Sequence, residues 1–126
     1  MGRVLICEPH PEVRELLRRI VVRLGHEPVL DDAALGDVHA IVVEPAHAPS
    51  VERAQAFRAV SGDVPVICAS IDYPNGGTKR LDPIVHLIKP FRLPEIEEAL
   101  TRALAGNRLR EAHFGAVQGL NDHEPL

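Results

Sequence analysis

Residues 3–30 read RVLICEPHPEVRELLRRIVVRLGHEPVL, and their pattern changes period twice. Arg3 to Cys7 form an apolar run without alternation, the pattern of a strand buried on both faces. Pro11 suits the first turn of a helix, where its missing N–H costs nothing. Val13, Leu16, Leu17, Ile20, Val21 and Leu24 then recur at helical spacing. Arg14, Arg18, Arg19 and Arg23 take the opposite side, as a solvated face rather than a docking patch. Gly25 supplies the stop, and Glu27 to Leu30 is a second short strand. A strand, a helix and a strand in so few residues specify a parallel pair with a crossover helix.

The rest of the chain continues the alternation. Ala40 to Val43 is a third strand, followed at once by Glu44 and Pro45. Ser50 is expected to cap a helix running to about Val60, with Val51, Ala54 and Phe57 inward. Val64 to Ser70 is a fourth strand and Ile84 to Ile88 a fifth. Pro94 opens a last helix whose inner face is Ile96, Leu100 and Leu104. The class is α/β: a flavodoxin-like, five-stranded parallel sheet of order 2-1-3-4-5, with helices on both faces. Two connections are too poor for full helices. Residues 31–39 (DDAALGDVH) suffice for one helical turn, and 71–83 (IDYPNGGTKRLDP) read as turn because of Pro74, Asn75, Gly76 and Gly77. The helix after strand 2 and the helix after strand 4 are therefore expected to be shortened or missing. Residues 1–106 form one domain. Residues 107–126 form a tail with one weak helical patch, Leu109 to Val117, expected to be partly disordered.

With 126 residues, 45% hydrophobic and 25% charged, the chain has enough apolar material for a folded core rather than a disordered segment. A formal charge of −4, from 14 basic and 18 acidic residues, argues against gripping a nucleic-acid backbone, which needs a basic face. No apolar run approaches a membrane span, and the N-terminus has no signal-peptide pattern, so a cytoplasmic location is expected. Cys7 and Cys68 fall on strands separated by a third. Two strand spacings of about 4.8 Å exceed the roughly 7 Å that a disulfide tolerates, so both are expected as buried free thiols.

In this topology the functional crevice lies at the carboxyl ends of the strands. There the sequence places Glu8, Pro9 and His10, then Glu44 and Pro45, then Ser70, then Lys89. The stretches RVLICEPHPEVRELLRRIVVRLGHEPV, VPVICAS and LIKPFRLPEIEEAL resemble bacterial response-regulator receiver domains, over about residues 3–105. Lys89-Pro90-Phe91 between strand and helix is the most specific piece. Members of that family carry two acids after strand one, a phospho-acceptor Asp after strand three, a Ser or Thr after strand four and a Lys after strand five. The resemblance places Glu8 and Pro9 at the two acid positions and Glu44 at the acceptor position. Ser70, Lys89 and the switch position His86 complete the set.

The departures have physical consequences. Pro9 offers no side-chain oxygen where a magnesium ligand is expected, and Mg²⁺ demands near-ideal oxygen geometry. Glu44 is one methylene longer than Asp, which misplaces a nucleophilic oxygen in a reaction that depends on positioning. The resemblance therefore implies a stand-alone, pseudo-receiver-like signalling module that works by protein–protein contact without phosphoryl transfer. It would be no enzyme and hold no cofactor, magnesium included. Its partner would be a protein, either a second copy or a kinase or regulator, and neither nucleic acid nor membrane. Glu44, near Lys89 with Ser70 beside it, either imitates a phosphorylated acid or merely stabilises a degenerate site. The alternatives are a working phospho-acceptor and, from another class, a small enzyme on the same scaffold, for which no nucleophile–base pair or cofactor fingerprint is visible.

Other groups carry less. Glu8, His10 and Glu44 could ligate a transition metal, but no HxH or HExxH spacing supports it. His10 is expected at the start of the first helix. His26, His39, His47, His113 and His123 are scattered and expected to be solvated, and Gly76-Gly77 lacks the setting of a phosphate loop.

Overall fold

A computed structural model describes residues 2–105. The elements are β1 (Arg3–Cys7), α1 (Pro11–Arg23), β2 (Glu27–Leu30), β3 (Ala40–Val43), α2 (Ala48–Ser61), β4 (Val66–Ser70), α3 (Gly76–Leu81), β5 (Val85–Ile88) and α4, which covers 93–105. All strand pairs are parallel, in the order β2-β1-β3-β4-β5. The fold is thus the expected flavodoxin-like sheet. The tail proposed for 107–126, with its helical patch, His113 and His123, lies outside the described residues.

Strand alternation divides the core. Val4 and Ile6 of β1, Ala40 and Val42 of β3, and Ile67 and Ala69 of β4 face α1 and α4, where Leu17, Ile20, Val21, Ile96, Leu100 and Leu104 cover them. Leu5, Cys7, Ile41, Val43, Val66 and Cys68 face α2 and α3, under Val51, Ala54, Phe57 and Leu81. The strands are apolar on both sides because both sides are covered.

Four expectations need correction. Ser50 does not cap α2. His47 holds the cap position, Pro49 lies in the first turn, and Ser50 is buried three positions after the cap, its Oγ 2.8 Å from His47 Nδ1. The segment 71–83 is not all turn: Gly76–Leu81 forms a short helix. Its capping box, with Asn75 Oδ1 accepting from the Thr78 N–H (3.2 Å) and Thr78 Oγ1 from the Asn75 N–H (3.1 Å), offsets the two helix-poor glycines. Strands four and five begin later than expected, at Val66 and Val85. His26 and His39 are not simply solvated, since their Nδ1 atoms accept the Gly2 and Arg3 N–H groups, each at 2.9 Å.

No helix forms between β2 and β3. That loop is tied down instead by α2. Arg53 donates to the Asp31 and Ala33 carbonyls, Ser61 Oγ accepts from the Val38 N–H at 2.9 Å, and Val38 fills the core.

Candidate functional site

The register lines up the carboxyl ends. Cys7 pairs with Val43, Val43 with Cys68, and Ser70 with Ile88. The residues that follow, Glu8, Glu44 and Lys89, leave three strands at one edge. Lys89 Nζ lies 2.8 Å from Glu8 Oε1 and 2.9 Å from Glu44 Oε1. The three side chains are 13% (Lys89), 3% (Glu8) and 10% (Glu44) exposed. The remaining oxygens are also engaged: Glu8 Oε2 accepts the His10 N–H at 3.1 Å, and Glu44 Oε2 the Ala46 N–H at 3.0 Å.

Burial alone would raise the Glu44 carboxyl. Hydrogen bonds from Ser70, the Ala46 N–H and Lys89, with the lysine charge, overcome it and hold the group below its ordinary value. Burial would likewise lower Lys89, but the bonds to Glu8 and Glu44 raise it. Both directions favour an ionised Glu44 carboxylate beside a charged Lys89 ammonium. Ser70 is fully buried, and its Oγ accepts the Asp72 N–H at 3.1 Å, fixing the start of the loop after β4.

Pro9 and His10 are exposed and form the step into α1. His10 holds the cap position without a side-chain cap bond. His86, on edge strand β5, has Nε2 2.9 Å from the Asp72 carbonyl, while Nδ1 is buried without a partner among the described residues. It lies on the loop side of the site and does not touch the three charges. The sequence reading paired Glu44 with Lys89 and missed that Glu8 shares the same ammonium. It also missed the cleft above them. That cleft has a volume of about 550 Å³, and Pro9, Val13, Leu16, Ile71, Pro90 and Phe91 wall it over the charged floor.

The cation position between the two acids is filled by Lys89. Pro9 adds no donor, and among the described residues no three His, Cys, Asp or Glu side chains converge as a metal would need.

No protein-family model matches the sequence, and no curated protein matches it. Solved structures do. NtrX from Brucella abortus, solved with ADP, superposes with a TM-score of 0.73 at 15% identity over 99% of this chain, which spans 31% of NtrX. The chemotaxis protein CheY4 of Vibrio cholerae gives 0.68 at 17% identity, covering 82% of this chain and 98% of that one. The receiver domain of the sensor histidine kinase PA1611 of Pseudomonas aeruginosa, with magnesium in its active-site cleft, gives 0.65 at 18% identity over the same 82% and 98%. The chain has the fold of bacterial receiver domains. No helix among the described residues is long and apolar enough to cross a membrane.

Proposed function

We propose that this chain is a receiver-like signalling module that does not accept a phosphoryl group and acts through contact with another protein. One observation carries the reading: Lys89 bridges Glu8 and Glu44, so the edge where a receiver holds its metal and acceptor already carries a cation from the chain itself. Phosphoryl transfer is mostly positioning and charge stabilisation. Pro9 removes a metal ligand, and Glu44 is both longer than Asp and committed to Lys89, Ser70 and the Ala46 N–H. The site then serves to hold the loops after β3, β4 and β5 in one arrangement, which a kinase, a regulator or a second copy would read. Cytoplasmic action fits that role.

The test is a titration with magnesium and beryllofluoride, followed by ¹⁵N–¹H NMR of the full chain. No saturable shifts are expected around residues 8–10, 44–46, 70–72 and 89. Saturable shifts there, or incorporation of phosphate from acetyl phosphate that is lost in Glu44→Gln, would establish a working phospho-acceptor instead.

A further inference from the structure

The cleft above the ion triad is larger than its charged floor requires. Its volume of about 550 Å³ falls in the range of small-molecule sites, which combine apolar walls with a few placed polar groups. Two of its wall residues are large, apolar and open to solvent: Leu16 is 49% and Ile71 74% exposed. The floor is not neutral. Glu8 and Glu44 carry two negative charges against the single positive charge of Lys89, and all three groups are largely removed from water. A carboxylate has about four acceptor positions, and each of these uses only part of them. Among the described residues, Arg14 makes no ion pair with either acid; its Nη1 lies 3.4 Å from the Glu8 backbone carbonyl. The His10 ring stands at the exposed mouth.

We propose that this cleft binds a small organic monocation with an apolar body, of the alkylammonium or arylalkylammonium class. The ammonium would take the unused acceptor positions of Glu8 and Glu44 beside Lys89, making the floor neutral. The body would lie against Val13, Leu16, Ile71 and Phe91. A neutral or anionic body of the same shape gains the walls but not the floor. Pro9 contributes in two ways: it withholds a third acid, which would favour a metal, and it adds apolar wall. The proposal rests on the preceding reading only in that no metal or phosphoryl group occupies this edge.

The probes are 2-phenylethylammonium, its neutral isostere 2-phenylethanol and the anion 3-phenylpropionate, titrated into the full chain without magnesium and followed by NMR. The ammonium is expected to give saturable shifts confined to residues 8–16, 44, 71 and 89–91, with the alcohol at least about tenfold weaker and the anion weaker still. Glu44→Gln cancels the net charge and should bring the ammonium down to the affinity of the alcohol, leaving the alcohol unchanged. Glu8→Gln should do the same and guards against a folding defect in the first variant. Leu16→Gln, at a half-exposed position, should weaken ammonium and alcohol together. Equal affinities for ammonium and alcohol, ammonium binding indifferent to both Gln variants, or shifts that grow linearly across the acidic surface would each overturn the proposal. A positive beryllofluoride titration would instead remove the reading of function, and the ammonium comparison would still decide this one.

Discussion

Lys89 holds two carboxylates 45 and 81 positions away in the chain, and the three side chains stand or fall together. Removing the shared cation strands both acids in a place with little water, whereas removing one acid leaves a balanced pair. Lys89→Met is therefore expected to destabilise the fold by about 3 kcal/mol, the usual cost of breaking a buried pair from one side. Glu44→Gln should cost about 1 kcal/mol while loosening the loops after β4 and β5. Urea denaturation of both variants checks the order, and a Lys89→Met protein no less stable than Glu44→Gln would refute the shared-cation account. The Glu44–Lys89 contact was legible in the sequence because each residue directly follows a strand and the topology puts those strand ends at one edge. The share of Glu8 was not, because a lysine's three donors let it serve two acids, and no spacing rule announces that. The His26 and His39 rings were misjudged for a similar reason: each bonds a backbone N–H more than twenty positions away.

Helix α3 shows where local signals mislead. Pro74, Asn75, Gly76 and Gly77 are turn formers by propensity, yet Asn75 starts a capped helix whose Leu81 is fully buried against α2. Arg58 Nη1 adds a bond to the Leu81 carbonyl at 2.7 Å. The two glycines are not equivalent. A Cβ on Gly77 would sit 2.2 Å from the Pro45 carbonyl oxygen, whereas one on Gly76 would meet nothing within 4 Å. Gly77 is thus what lets α3 close on the residue next to Glu44. Gly77→Ala must push helix and loop apart, and is expected to cost about 1–3 kcal/mol, the range for overpacking, with amide shifts at 44–47 and 75–81. Gly76→Ala should be neutral or stabilising by up to about 1 kcal/mol. Equal melting curves for the two variants would remove the contact from consideration. The strands and long helices were legible because their periodicity is set by burial. The start of α2 was misread because Ser50 has a capping residue's chemistry but a buried first-turn position, three residues after the true cap.

At the scale of the whole molecule, pH links the core to the site. Burial pushes the Cys7 and Cys68 thiols from 9.0 up to about 12. Both thiols are free, and the cysteines are separated by β3, as the sheet order requires. A thiol raised in the folded state stabilises fully below its unfolded value and loses that contribution as pH rises through the folded one. Stability should therefore fall from about pH 9 upward, by about 1.4 kcal/mol per pH unit for each thiol. Cys68→Ala should roughly halve that slope, and urea midpoints at pH 7, 9 and 10.5 measure it. An identical alkaline slope in Cys68→Ala would show that the thiols do not govern it. On the acid side the sign reverses. Glu44, lowered in the fold, contributes above the ordinary carboxylate value of about 4.3 and loses that contribution as pH falls through its folded value, so Glu44→Gln should flatten the acid limb.

The distance along the chain between Glu8 and Lys89 has a consequence during synthesis. At roughly 5–20 residues per second, the 81 positions between them take roughly 4–16 s to make. Over the last 45 of those positions, roughly 2–9 s at that rate, the growing chain carries both acids and still lacks the ammonium that joins them. A product cut short between β4 and β5 keeps this condition permanently and also leaves β4 without its neighbour. Its unpaired acidic edge and open strand make it chemically distinguishable from a finished molecule, so the last strand closes the sheet and delivers the counter-charge in one event.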